Sequence, residues 1–109
     1  MKKKRVLRVG TSDYPVAYAK RVPLRGVKVR DGGQLLGVVD FDVNKIWIKD
    51  NVPPQRKRCI ELHEAVHAMF AEGNYWDECN NEPLVEHMAK TIYQVVRDNP
   101  WLVDLPKNG

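Results

Sequence analysis

Apolar residues recur every three or four positions along two stretches of this chain and alternate along several shorter ones. That contrast predicts the architecture before any chemistry is considered. After Pro53 and Pro54, two residues at home in a helix's first turn, the run QRKRCIELHEAVHAMFAEG holds no further proline and no glycine until Gly73. Cys59, Leu62, Val66 and Phe70 form an i, i+3/i+4 stripe flanked by Ile60 and Met69, and Gly73-Asn74 supplies a stop. A long helix is expected there, with Cys59 buried on its core face. Asn81-Glu82-Pro83 reads as the start of a second, Asn81 capping it and Pro83 just inside. Its apolar stripe is Val85, Met88/Ala89, Ile92 and Val95/Val96, and Asp98-Asn99-Pro100 ends it. The following WLVDLP is expected to pack back as a short apolar tail.

Upstream the period shortens. Val6, Leu7 and Val9 mark a short strand, and Leu24 to Arg30 alternates apolar and basic residues before a turn at Asp31-Gly32-Gly33. QLLGVVDFD and NKIWIKD read as two strands of a hairpin turning through Phe41 to Asn44. The proline-punctuated TSDYPVAYAKRVP reads as irregular chain or a short helix. The expected fold is α+β: a small antiparallel sheet followed by two long helices, in one domain over residues 1–109 with a basic arm at 1–5.

Composition narrows the class. A hydrophobic content of 43% and a charged content of 29% are ordinary for a globular domain. No run is long enough to span a membrane, and no apolar stretch after MKKKR makes a signal peptide, so a cytoplasmic protein with no membrane partner is expected. Cys59 and Cys79 make no disulfide framework, and both are expected to be unpaired thiols. Charge is uneven: residues 1–60 carry 15 Lys/Arg against 5 Asp/Glu, and residues 61–109 carry 3 against 9, giving +10 and −6 and hence the overall +4. The basic half suits nucleic acid or an acidic protein partner, or simply a solvated surface. Tyr14, Tyr18, Phe41 and Trp47 are not spaced as a base-stacking platform.

The chemistry is concentrated in His63-Glu64-Ala65-Val66-His67. Residues four apart on a helix share a face, so the two imidazoles can aim at one point, an arrangement that suits zinc. Glu64 then flanks the metal and is placed as a general base toward an activated water. A third protein ligand is required at a catalytic zinc. Glu82 lies three residues before Val85 and seven before Ala89, on the stripe predicted to be buried, where a carboxylate needs a partner. It is the expected third ligand. Glu86, one turn on, is expected to hydrogen-bond the outer nitrogen of a ligating histidine, or to replace Glu82 as ligand. His87 points off that face, and Cys79 reads as a bystander thiol in the approach loop. Tyr75 and Tyr93 are possible donors to an oxyanion, neither assigned.

HEAVH followed by NEPLVE on a second helix resembles the HExxH zinc metallopeptidases of the gluzincin type. With GVVDFDVNKIWIKD before the zinc helix and the small size, the chain looks most like the ImmA/IrrE-type metallopeptidases of bacteria and phages. The tail TIYQVVRDNPWLV is similar to small phage-encoded HExxH proteins. The resemblance covers roughly residues 35–103. It implies a minimal zincin-like domain in a bacterial cell or phage-infected host, with zinc as cofactor. It also implies cleavage of a protein substrate, such as a regulatory or host protein, held along the strand beside the zinc helix. The competing expectation is a metal-binding module without turnover that docks on a protein or nucleic-acid partner through its basic half. Glu64 discriminates, because a structural zinc site has no use for a general base.

Overall fold

The computed structural model describes residues 4–24 and 35–107. The alternating stretch at 25–30, the turn at 31–33 and most of the basic arm lie outside them. Four strands, β1 (Arg5–Val9), β2 (Ser12–Ala19), β3 (Gly37–Asp40) and β4 (Lys45–Lys49), form one sheet in the order β1-β2-β4-β3. Helices α1 (Pro54–Glu72), α2 (Trp76–Cys79) and α3 (Glu82–Asp98) follow, and a single 3-10 turn (Pro100–Val103) trails them. The architecture is α+β, as the pattern predicts.

The sheet is mixed, which corrects the expectation of an antiparallel one. β1–β2 and β3–β4 are antiparallel hairpins, but β2 and β4 run parallel, with Val16 opposite Ile46 and Ala19 opposite Lys49. The strand missed by sequence is β2, and Pro15 is the reason. Proline offers no N–H to a ladder and normally argues against a central strand. Here Pro15 pairs with Val6 of β1, while the parallel register with β4 begins one residue later, at Val16. The missing donor therefore costs nothing on the β4 side. The β1–β2 turn is only Gly10-Thr11, and Gly10 takes φ +59°, the left-handed value a two-residue hairpin loop favours.

α1 sits between the sheet and α3 and is buried on two faces. Ile60 and Ala68 join Tyr14, Ile46 and Ile48 under the sheet, while Val66 meets Val85 and Ala89 of α3. The single predicted stripe thus divides: Leu62, Val66 and Phe70 serve the α3 side, Cys59 is only half-buried, and Met69 is exposed. A helix with two apolar contacts has no one polar face, so a search for one stripe misassigns its edges. The apolar tail does not pack back. Trp101 is 70% exposed, and Leu102, Val103 and Leu105 are exposed with it. The apolar face of α3, at Val85 and Ala89, is occupied by Val66 of α1. No helix among the described residues is long and apolar enough to cross a membrane.

Candidate metal centre

Both ends of α3's approach are fixed by short-range chemistry. α1 closes at Glu72; Gly73 caps it and Asn74, at φ 62°, takes the left-handed step that turns the chain back. α2 then brings Cys79 against α1, and the Asn81 side chain accepts from Leu84 N at 3.2 Å to start α3. The result sets the first turn of α3 opposite the middle of α1.

His63, His67 and Glu82 converge there and form a group that could hold a metal ion. His63 Nε2 lies 3.0 Å from Glu82 Oε2, His67 Nε2 lies 2.9 Å from Glu82 Oε1, and the two Nε2 atoms are 3.2 Å apart. The tautomers follow from the outer nitrogens. His67 Nδ1 is 2.7 Å from the Cys79 carbonyl oxygen, which only accepts, so Nδ1 carries the proton and Nε2 keeps its lone pair. His63 Nδ1 faces Glu86 Oε2 at 3.6 Å, leaving its Nε2 toward the centre as well. Burial pushes the His67 imidazole below its ordinary pKa; Glu82 opposes that shift and His63 adds to it. The neutral ring is the form that binds a cation.

Glu64 is the buried acid of the site, 5% exposed. No hydrogen bond or ion pair engages its carboxylate among the described residues. Burial pushes its pKa up to about 8, and the charges of Glu82 and Glu86 push the same way. A cation at the neighbouring group would offset that. β3 is one of the two edge strands of the sheet among the described residues, and Gly37 lies directly on this carboxylate: a Cβ there would come 2.8 Å from Glu64 Oε2 and 2.9 Å from Ile60 Cγ2. All five residues border a groove of about 980 Å³ or sit at its floor, with β3 along one wall and α1 and α3 along the others.

The five residues singled out in HEAVH and NEPLVE therefore come together, with one correction. Glu82 does not lie on the buried stripe; its side chain is 64% exposed, and Val85 and Ala89 alone carry that stripe inward at this end. The first turn of α3 overhangs the groove instead of entering the core. His87 is exposed, and neither Tyr75 nor Tyr93 borders the groove. Cys79 is not in a loop but in α2, 1% exposed, its thiol donating to His67 O at 3.3 Å. Its sulfur stays outside the donor trio while its carbonyl orients His67. No sequence signal marks that role, because it belongs to the backbone. Gly37 was equally silent, since its value lies in what approaches it. Both cysteines are free, as expected. Comparison with models of protein families, with curated proteins and with solved structures gives no match to this chain.

Proposed function

We propose that the protein is a zinc-dependent peptidase that hydrolyses a bond of a protein or peptide laid in the groove. The observation that carries the reading is Glu64, an unpartnered buried carboxylate beside a group of two imidazoles and a carboxylate. The donor set suits zinc in type, and its spacing supports the choice. Tetrahedral bonds of 2.0–2.1 Å require ligand atoms about 3.3 Å apart, and the observed separations are 2.9, 3.0 and 3.2 Å.

His63, His67 and Glu82 would hold the ion, with Cys79 O and Glu86 fixing the two rings from behind. Bound zinc supplies Lewis-acid polarisation of a carbonyl and makes water a stronger acid. Glu64 accepts the proton of the attacking water and delivers it to the leaving nitrogen. Its burial keeps that carboxylate poorly solvated and hence basic. β3 is an edge strand among the described residues, and its outer edge would offer backbone donors and acceptors to an extended substrate, as sheet-edge pairing does elsewhere.

The test is Glu64→Gln, which keeps size and removes the base. Zinc content, by metal analysis of the purified protein, should be unchanged, and cleavage of a peptide library should fall by at least about 100-fold. A variant that cleaves like the parent sinks the mechanism. A parent that binds zinc but cleaves nothing transfers the site to the binding-module reading.

A further inference from the structure

We propose that the groove recognises an acidic side chain of its substrate, through Arg56 and Lys90, about three residues from the bond that is cut. The inference deepens the peptidase reading and rests on it for the position of that bond.

Arg56 and Lys90 border the same groove from different helices. His67 meets Glu82 while His63 meets Glu86, so α1 and α3 run antiparallel and both cations lie toward the same end. Arg56 precedes His63 by seven residues, and Lys90 follows Glu82 by eight. At 1.5 Å per residue each is about 10 to 12 Å from the donor trio along its helix. An extended peptide covers that span in about three residues at roughly 3.3 Å each.

The two charges are also uncommitted. Their neighbours on α1 are neutralised, Lys57 by Asp50 at 2.8 Å and Arg58 by Glu61 at 3.3 Å. Arg56 and Lys90 have no ion pair among the described residues. Helix electrostatics does not account for Arg56 either. The start of α1 carries no acid, and cations at a helix N-terminus oppose its dipole. The other charged side chains bordering the groove, Glu64, Glu82 and Glu86, are acids that repel a substrate carboxylate, and Cys59 and Ile60 lie between Arg56 and the trio along α1. A substrate carboxylate therefore has one place to pair, and a guanidinium can take it with two parallel hydrogen bonds.

The experiment uses fluorescein-labelled nine-residue peptides, alanine and valine with a single Glu, Gln or Lys moved through every position. Binding to Glu64→Gln protein is read by anisotropy and cleavage by the parent is mapped in parallel. Glu at one position, three residues from the mapped bond, should bind at least about 10-fold tighter than Gln there, and the ratio should shrink as salt rises. Arg56→Glu/Lys90→Glu should turn the preference toward Lys. The single variants Arg56→Gln and Lys90→Gln should each weaken it, which keeps the test valid if the double variant does not fold. Equal binding of Glu and Gln peptides at every position overturns the proposal, as does an unchanged preference in the charge-reversed or glutamine variants. Cleavage without acid preference overturns this inference alone. Acid preference without cleavage by the parent overturns the peptidase reading and leaves acidic recognition standing.

Discussion

α1 and α3 lie against each other and share one site, yet they present its residues in opposite ways. α1 is enclosed by the sheet and α3, and its His63 and His67 side chains are 16% and 12% exposed. α3 is buried on one side only, at Val85 and Ala89, and its Glu82 and Glu86 overhang the groove with 64% and 49% of their side-chain surface in solvent. Packing therefore fixes the imidazoles, whereas the carboxylates are free to adjust. On the peptidase reading proposed above, one rigid and one adaptable wall would keep the ligand geometry while admitting a substrate.

The largest effect should separate the two walls. His67→Ala removes an oriented donor and opens a hole beside Cys79, so zinc affinity should fall well beyond about 100-fold, the upper end of what outer-shell partners cost. Glu82→Ala should cost less, because Glu86 sits one turn away and can swing in. Glu86→Gln, which alters the group facing His63 Nδ1, should cost about 10-fold. Competition with a chromophoric chelator reads all three. A Glu82→Ala loss equal to that of His67→Ala would show that the carboxylate wall is as fixed as the other.

The same contrast explains what could be read from sequence. HEAVH and NEPLVE were legible because helical spacing alone brings His63 to His67, and because Asn81 and Pro83 announce where α3 begins. The exposure of Glu82 was not legible, since a periodicity argument assigns the first turn of a helix to the face of its later turns. The two-sided burial of α1 was hidden for a related reason: Ile60 and Ala68 belong to a second contact that one stripe cannot describe. β2 was lost because Pro15 is a breaker unless its neighbour on one side pairs only from the next residue. The hairpin of β3 and β4 was found because its turn is local, whereas the parallel pairing of β2 with β4 spans a long connection that no local signal reports.

Stability should divide along the same line. Gly37→Ala drives a methyl to 2.8 Å from Glu64 Oε2 and 2.9 Å from Ile60 Cγ2 on the enclosed side of the groove. Overpacking there should destabilise by about 1–3 kcal/mol in urea titrations. Glu86→Ala on the open wall should stay within about 0.5 kcal/mol, as exposed substitutions do. Equal effects at the two positions would mean that β3 yields as easily as the overhanging turn.

A modest effect at neutral pH, and the most informative one across pH, lies at the sheet side of α1. The buried Tyr14 hydroxyl donates to Glu72 Oε2 at 2.7 Å and ties β2 to the last turn of α1. Burial pushes the Tyr14 pKa from 10 up to about 12, and the hydrogen bond to Glu72 adds to that. A raised pKa means the fold prefers the neutral phenol, so this stabilisation is complete below about pH 10 and disappears as pH climbs toward 12. The same hydrogen bond holds the Glu72 carboxyl below its ordinary value of 4.5. Its contribution therefore has the opposite sense, present above that value and lost as pH falls through the lowered one. Tyr14→Phe should cost about 1 kcal/mol at pH 7, the net worth of one hydrogen bond. It should also remove the Tyr14 share of the decline above pH 10 and flatten the Glu72 share of the decline in acid. Unfolding curves across pH for the parent and the variant would check both limbs. Parallel curves would mean that the bond between β2 and α1 is not formed in solution, and the rigid wall would lose one of its two supports.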